Sequence, residues 1–415
     1  MSDFPGPELR ILYVGLLPPH PGGAPISCTE LLTGLADAGA RVRALAPVTP
    51  ETGARAETFA RRYPGLAIDR FLVPRFDIGP HQPAAGAYRR LERARIRAAL
   101  PRLIEEERPH LLLIGRETFV WDAPDLARAA GLPSILMARG GLTLAILNGS
   151  YPQDLAEQVL AQYRKADLIV TPARHLTRGL RRLGLSGVRT IPNALDLRRF
   201  APGPRDEGLL ARLNLSREDI VVLHASNLKP MKRARDLIVS AALTLPRAPR
   251  LAYLIVGDGQ EREVLEATAR ELGISARVRF AGWVDYAQMP DYIRLADLVV
   301  MPSEFEGQSR VYLEAQACGR VLLASDVPGA REVIADGRTG LLFRTGDVAD
   351  LAAKTLRVAE DAELRRSLGN GARASVHPHD LSRAVADYQG AITRLLHRPR
   401  GVVRTRLAPG QAATR

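Results

Sequence analysis

The chain has 415 residues, more than one compact core usually serves, so two domains are expected. Two cysteines and the lack of an apolar run of eighteen residues exclude a disulfide scaffold, a thiolate metal site and a membrane-spanning helix. The 58 Lys and Arg residues exceed the 45 Asp and Glu residues by 13, which suits a nucleic acid, a membrane surface or a phosphorylated substrate as partner. Residues 1–8 lack a signal-peptide pattern, so a cytoplasmic location is expected.

The first half of the chain alternates strand-like and helix-like patterns. Arg10–Leu16 predicts a strand, Ile26–Ala38 a helix and Val42–Ala46 the next strand. Further strands are predicted at 67–73, 110–114, 134–137, 168–170 and 188–191. This alternation favours a parallel sheet covered on both faces, where ligands bind beyond the carboxyl ends of the strands.

Two glycines, Gly22 and Gly23, lie between the first strand and the first helix. They allow the backbone to come close to a ligand, and the alternative is a tight turn without one. The pattern is not G-x-G-x-x-G, which disfavours a nicotinamide site.

The predicted helix at residues 87–108 carries the arginines 89, 90, 93, 95, 97 and 102. Arg89, Arg93 and Arg97 lie four residues apart and share a face. Two interpretations stay open: a solvated helix face, or a patch in the Arg89–Arg102 helix that contacts anionic lipid at the inner face of the membrane or an acidic acceptor.

A second α/β unit follows the linker at Pro202-Gly203-Pro204. Strands are predicted at 220–224, 251–256 and 278–281, and helices at 235–245 and 261–272. The predicted division is a first domain at 1–195, a second at 196–380, a last helix at 381–398 and a basic, disordered tail at 399–415.

The stretch E-F-E-G-Q-S-R-V-Y-L-E-A-Q-A-C-G at 304–319 follows an apolar strand pattern and opens a helix. The amino end of such a helix favours an anion, because its first N–H groups are unpaired. Seven residues separate Glu306 from Glu314, so both carboxylates can face one cleft. The alternative is a surface loop with two solvated glutamates.

This Glu-x7-Glu spacing resembles the signature of the family-4 retaining glycosyltransferases, whose GT-B fold has two Rossmann-like domains facing across a cleft. The resemblance continues through T-I-P-N-A-L-D at 190–196, S-N-L-K-P-M-K-R at 226–233 and A-C-G-R-V-L-L-A-S-D-V-P-G at 317–329. Around residue 227 the sequence is similar to that of the malate-accepting members of the family. In this family the last helix crosses back to the first domain.

The resemblance implies the site residues. Glu306 would orient the transferred sugar, Lys232 would stabilise the departing diphosphate with Lys229 as helper, and Glu314 would accept the ribose hydroxyls. The residues expected to bind the nucleotide-sugar donor are Gly22, Gly23, Asn227, Lys229, Lys232, Gly257, Val284, Glu306, Gly307, Gln308, Ser309 and Glu314.

Arg139 stands where many members of this family have a histidine. An arginine cannot act as a general base, so an electrostatic role or contact with an anionic acceptor is expected from it. No Asp-x-Asp occurs in the chain, which favours leaving-group stabilisation without a metal, and no cofactor is expected.

The expected activity is transfer of a hexose or N-acetylhexosamine from a nucleotide sugar, preferably a UDP-sugar, to an envelope glycan, a lipid-linked acceptor or a small molecule. The alternatives are a basic nucleic-acid-binding protein and a related protein that binds nucleotide sugar without turnover. The sequence lacks the interleaved aromatic residues typical of nucleic-acid binding, so no nucleic-acid partner is expected.

Overall fold

The computed structural model of the chain describes residues 9–20, 22–74, 85–139 and 141–397. They form two α/β domains, each built on one parallel sheet. The predicted tail at 399–415 lies outside the described residues.

The first domain contains a seven-stranded sheet in the order β3-β2-β1-β4-β5-β6-β7. Its strands are β1 Arg10–Val14, β2 Arg41–Val48, β3 Leu66–Leu72, β4 Leu111–Ile114, β5 Ser134–Met137, β6 Leu168–Thr171 and β7 Val188–Thr190. Its helices are α1 Gly23–Asp37, α2 Pro50–Arg62, α3 Ala85–Glu107, α4 Ala123–Ala129, α5 Gly141–Leu147, α6 Gln153–Tyr163 and α7 Arg174–Arg182.

The second domain contains a six-stranded sheet in the order β10-β9-β8-β11-β12-β13. Its strands are β8 Ile220–Ala225, β9 Leu251–Val256, β10 Val278–Gly282, β11 Leu298–Met301, β12 Val321–Ser325 and β13 Leu341–Phe343. Its helices are α8 Glu207–Arg212, α9 Ala234–Thr244, α10 Arg262–Glu271, α11 Met289–Leu295, α12 Arg310–Ala317, α13 Pro328–Arg331, α14 Val348–Glu360 and α15 Ala362–Ser375.

Strands β4, β9 and β11 in the interior of the two sheets are apolar along their whole length because helices cover both faces. Every residue of β4, β9 and β11 is buried. Side chains from the two faces of each sheet form two separate apolar clusters per domain. The predicted parallel α/β architecture with two Rossmann-like domains is confirmed.

The last helix, α16 Leu381–Leu396, belongs in space to the first domain. Its residues Val385, Tyr388 and Ile392 lie in the same apolar cluster as β1 and α1. At the start of this connection the backbone N–H of Leu195 donates to the carbonyl oxygen of His379, and the N–H of Leu381 donates to the carbonyl oxygen of Leu195, each at 3.1 Å. The predicted return of the last helix to the first domain is therefore confirmed.

The first helix differs from its prediction. It begins at Gly23, three residues before Ile26, because proline is tolerated in the first turn of a helix and Pro25 sits there without losing a backbone bond. Gly22 is its N-cap at φ 118°, a conformation that strongly favours glycine.

The arginine-rich helix α3 is not simply a solvated face. Arg93 and Arg97 both pair with the carboxylate of Asp122, at 2.9 and 2.6 Å, and Asp122 is only 4% exposed. Arg102 pairs with Glu106 at 3.5 Å. Contact of this helix with lipid stays a prediction. Within the described ranges, no helix is both long and apolar enough to cross a bilayer.

The packing of α16 on α1 can be tested at Gly34, where an added Cβ atom would lie 2.5 Å from Cγ2 of Val385. Gly34→Ala should lower the free energy of unfolding by about 2 kcal/mol, because overpacking outweighs the gain in helix propensity. The combination with Val385→Ala should cost less than the sum of the two single changes. Denaturant unfolding measures all three variants.

Gly53 is the matched control, since it lies in α2 with nothing within 4 Å of an added Cβ atom. Gly53→Ala should raise stability by up to about 1 kcal/mol. Equal effects at Gly34 and Gly53, or strictly additive effects at Gly34 and Val385, would contradict the packing described here.

Candidate active site

The loop between β11 and α12 presents Glu306 to the space between the domains. Oε1 of Glu306 accepts a hydrogen bond from Oγ of Ser303 at 2.8 Å and lies 2.5 Å from Nζ of Lys232. Glycine at 329 permits α13 to pack beneath this loop, because a Cβ atom there would lie 2.3 Å from the carbonyl oxygen of Glu306. The carboxylate is thus held by Ser303 and Lys232, and the backbone of its residue is supported by α13.

Lys232 comes from a short 3-10 turn at Pro230–Lys232 that follows β8. The backbone N–H of Glu304 donates to the carbonyl oxygen of Met231 at 2.9 Å, which joins this turn to the loop of Glu306. The ammonium group and the carboxylate therefore meet because two loops at the carboxyl edge of one sheet are bonded to each other. The predicted pairing of these two residues in one site has a geometric basis.

A buried histidine orients a hydroxyl group on the same wall. Nδ1 of His224 lies 2.9 Å from the carbonyl oxygen of Val300, and Nε2 lies 2.8 Å from Oγ of Ser226. Burial lowers the pKa of His224 to about 4, so the ring is neutral near pH 7. Nδ1 must then donate to the carbonyl oxygen, Nε2 accepts from Ser226, and the hydroxyl oxygen of Ser226 turns its lone pairs to the cleft.

Glycine 257 brings the end of β9 close to the loop after β8. Its φ is 115°, and an added Cβ atom would lie 2.0 Å from the carbonyl oxygen of Ser226. Only glycine fits this position. Asn227 in the neighbouring loop reaches towards the first domain, since its Nδ2 atom would lie 3.3 Å from a Cβ atom on Gly22.

The wall formed by the first domain consists of the amino end of α1 and the segment after β5. Gly23 lies against the side chain of Arg310, whose Cδ would be 3.2 Å from an added Cβ atom. Nη1 of Arg139 donates to Oδ1 of Asn193 at 2.8 Å. Asn193 in turn donates from its backbone N–H to Oε1 of Gln308 at 2.6 Å and from Nδ2 to the carbonyl oxygen of Gln308 at 2.9 Å. A chain of hydrogen bonds therefore joins the first domain to the loop of Glu306.

Arg310 makes the most extensive contact between the domains. Its side chain is 4% exposed and lies 2.9 Å from Oε2 of Glu30 in α1 and 3.5 Å from Oε1 of Glu314 in its own helix. It also donates to Oγ of Ser27 and to the carbonyl oxygen of Ala194, each at 3.0 Å. One cation in the second domain thus binds two side chains of α1 and the backbone at Ala194.

The electrostatics of this cluster follow from its burial. Burial alone would lower the pKa of Arg310, but Glu30, Tyr286 and Glu314 outweigh it and raise the pKa above its usual value. Burial raises the pKa of Glu314, and the charge of Arg310 only partly offsets that effect. Tyr286 stacks near the guanidinium group, 5.2 Å from its ring centroid, and its hydroxyl accepts from Nη2 of Arg310.

Two further contacts join the edges of the domains. Arg62 pairs with Asp285 at 2.9 Å in an exposed position. Glu332 accepts hydrogen bonds from the backbone N–H groups of Arg174 and His175, at 2.7 and 2.6 Å, at the start of α7. Burial would raise the pKa of Glu332, but the hydrogen bonds from His175 and the two N–H groups lower it below its usual value.

These contacts enclose a cleft of about 450 Å³. Every residue predicted for the site lines it: Gly22, Gly23, Arg139, Asn227, Lys229, Lys232, Gly257, Val284, Glu306, Gly307, Gln308, Ser309 and Glu314. Their individual roles stay predictions. Trp283 also lines the cleft, and 48% of it is exposed. Within the described part of the chain, no group of three or more His, Cys, Asp or Glu residues could hold a metal ion.

Sequence reasoning missed the side chain of Arg310 and the amide of Asn193. The spacing of four residues between Arg310 and Glu314, which places both on one helix face, is the signal that could have indicated Arg310. Asn193 lies in the T-I-P-N-A-L-D stretch at 190–196. No local signal in the sequence shows that its amide meets Gln308, because 115 residues separate them.

A cleft between two Rossmann-like domains, with a cation and two carboxylates at the carboxyl edge of the second sheet, defines the GT-B class of glycosyltransferases. Residues 21–199 match the family model described as Glycosyltransferase Family 4, and residues 208–375 match Glycosyl transferases group 1. The chain belongs to this family of glycosyltransferases.

Among known proteins, the chain is similar to a D-inositol 3-phosphate glycosyltransferase of Nocardia farcinica, with 34% identity over 55% of this chain and 53% of the relative. It is also similar to the N-acetyl-alpha-D-glucosaminyl L-malate synthase of Bacillus anthracis, with 30% identity over 49% of this chain and 52% of the relative. The match therefore spans about half the length of these relatives. Among solved structures, Anabaena HepE in complex with UDP and glucose has a TM-score of 0.78 at 20% identity, covering 93% of this chain and all of that one.

The contact between Arg310 and Glu30 should hold the domains together thermodynamically. Arg310→Met should lower the free energy of unfolding by about 3 kcal/mol, because it leaves buried carboxylates without their cation. Glu30→Gln in the same chain should recover part of this loss. A double-mutant cycle from urea unfolding measures the coupling.

Arg62→Gln is the matched control, because its ion pair with Asp285 also joins the domains but is exposed. Its cost should stay below about 1 kcal/mol. Additive effects of Arg310→Met and Glu30→Gln would show that the buried pair does not contribute to the domain contact.

Proposed function

We propose that this chain transfers a hexose or N-acetylhexosamine from a nucleotide sugar, most favourably a UDP-sugar, with retention of the anomeric configuration. The observation that carries the proposal is the pair of Lys232 and Glu306, 2.5 Å apart on one wall of the cleft between the domains. The acceptor is an envelope glycan, a lipid-linked sugar or a small molecule.

Lys232 and the amino end of α12 are suited to the charge that develops on the leaving group. The side chain of Ser309, the N-cap residue, does not cap α12, so the first N–H groups of that helix are available to a diphosphate. Because cation and dipoles are fixed before the donor binds, they stabilise the new phosphate charge without reorganisation. Lys232 is 20% exposed, which leaves it accessible from the cleft.

The transfer itself needs no covalent intermediate with the protein. The bond between the anomeric carbon and the β-phosphate oxygen breaks, and the acceptor oxygen bonds to the same face of that carbon. The acceptor proton passes to the departing phosphate oxygen. Glu306 then orients the sugar hydroxyls and lies near the positive charge of the sugar ring, and no metal takes part.

The relatives support the choice of donor and the class of acceptor. The solved structures of Anabaena HepE that resemble this chain contain UDP, UDP-glucose or UDP with glucose. The names of the two curated relatives refer to inositol 3-phosphate and to L-malate, and both are small anions. A small acceptor thus has more support than a polymer, and a cytoplasmic location suits soluble substrates of this kind.

The proposal is tested with a panel of UDP-, GDP- and ADP-sugars. One of them should raise the thermal midpoint and be hydrolysed slowly in the absence of an acceptor, and NMR of the transfer product should show the anomeric configuration of the donor. Stabilisation without hydrolysis or transfer would instead indicate a binding protein. Salt-sensitive binding to random duplex DNA with no response to any nucleotide sugar would indicate a nucleic-acid-binding protein.

Glu306→Ala should reduce turnover by at least about tenfold, equivalent to about 1.4 kcal/mol of barrier. Nucleotide affinity should stay the same or increase, because Lys232 loses a competing carboxylate. Steady-state kinetics and calorimetry with UDP measure the two effects. The control is Glu304→Ala, which removes an exposed carboxylate of the same loop and should leave turnover unchanged. Wild-type turnover in Glu306→Ala would refute the assignment.

Glu314→Gln should weaken UDP binding by about tenfold, because the carboxylate is expected to accept both ribose hydroxyls. Glu30→Gln separates this effect from an indirect one, since Glu30 also pairs with Arg310 but does not line the cleft. Calorimetry should show near wild-type affinity for Glu30→Gln. If both variants lose affinity equally, Glu314 acts through Arg310 and not on the ribose.

A further inference from the structure

The guanidinium group of Arg139 is a partly buried cation without a carboxylate partner among the described residues. Arg139 follows β5 at the centre of the first sheet, and its Nε atom is inaccessible to solvent and has no hydrogen-bond partner. Among the described residues, no Asp or Glu lies within salt-bridge distance of it. Its hydrogen bond to Asn193 uses one of five N–H donors.

The neighbours of Arg139 that affect its pKa include no carboxylate. Burial and the charge of Arg310 would lower the pKa of Arg139, but Cys28, Tyr388 and Tyr13 outweigh them and raise it. Burial raises the pKa of Tyr388 to about 12 and that of Tyr13 well above its usual value, so both phenols are neutral near pH 7. Arg310, by contrast, has two carboxylates.

A purely structural role explains Arg139 less well. Bracing Asn193 requires only one N–H donor, which a neutral glutamine also supplies. Withdrawing a charge even partly from water without a counter-ion is unfavourable. Arg70, Arg310 and Arg320 also have a buried N–H group without a hydrogen-bond partner. Arg310 lines the cleft but has two carboxylates, and Arg70 and Arg320 do not line the cleft, so Arg139 differs from all three.

We propose that Arg139 binds an anionic group, a carboxylate or a phosphate, that is carried by the transferred sugar or by the acceptor. The proposal rests on the proposed function. Arg139 lies apart from the expected binding site of the donor diphosphate. Arg139 belongs to the wall formed by the first domain, whereas Lys232 and α12 belong to the wall formed by the second. A planar guanidinium group matches both oxyanions with two parallel hydrogen bonds.

The first experiment uses inorganic phosphate and malonate as probes. Protein saturated with UDP, which occupies the diphosphate seat, is titrated with each probe and followed by calorimetry. The wild type should bind one further anion. Arg139→Gln should weaken this binding by at least tenfold, and Arg139→Lys, which keeps the charge but not the planar fork, should weaken it less. Arg95→Gln removes an exposed arginine of α3 and should change nothing.

If Arg139→Gln does not fold, the proposal is still tested, because the wild-type titration and the Arg139→Lys variant do not depend on that protein. The absence of a second anion site in UDP-saturated wild type would overturn it. Equal affinity of wild type and Arg139→Gln would overturn it as well.

A second experiment finds the source of the anion. Phosphate that still binds in the presence of UDP-glucose, whose sugar is uncharged, points to the acceptor. A phosphate ester of a polyol should then be used at least about a hundredfold better than the free polyol. Phosphate that is displaced by UDP-glucuronate, with that donor preferred over UDP-glucose, points to the sugar. In either case Arg139→Gln should remove the preference for the charged member of the pair.

The proposed function and the proposed role of Arg139 are contradicted by different results. If no nucleotide sugar stabilises the protein or is consumed, the proposed function is wrong. If a nucleotide sugar is consumed, but charged and neutral donors and acceptors are used equally well, the function stands and the role of Arg139 is wrong.

Discussion

The buried charge of Arg310 is the interaction on which the geometry of the cleft depends. A guanidinium group at 4% exposure is tolerated only because Glu30 and Glu314 compensate it from two sides. Glu30 belongs to the first domain and Glu314 to the second. The closed arrangement of the domains therefore satisfies a charge that an open arrangement would leave without one of its partners.

The same short helix carries the domain contact and the expected donor site. Arg310 begins α12, Glu314 lies one turn further on, and the uncapped amino end of the helix faces the cleft. The carboxylate expected to bind the ribose and the cation that pairs with Glu30 of the first domain thus lie four residues apart on one helix.

The cleft places two kinds of positive charge on opposite walls. Lys232 on the second domain has a carboxylate at 2.5 Å, so its charge is compensated until a diphosphate competes for it. Arg139 on the first domain has no such partner among the described residues. The two walls thus differ in what they offer a ligand: the second domain presents a cation that is already paired, and the first domain presents one without a carboxylate in the described part of the chain.

The sequence by itself determined the parallel α/β class and most strand positions, because these depend on local periodicity. The residues that line the cleft were indicated by the resemblance of short motifs at strand ends to those of a known family. Its local patterns misplaced the start of α1, since a proline in a first helical turn looks like a helix breaker. The partners of Arg93, Arg139 and Arg310 were decided only by the tertiary structure. Whether a basic side chain meets Asp122, an amide or Glu30 depends on chain segments that are distant in sequence, and an arginine looks the same in each case.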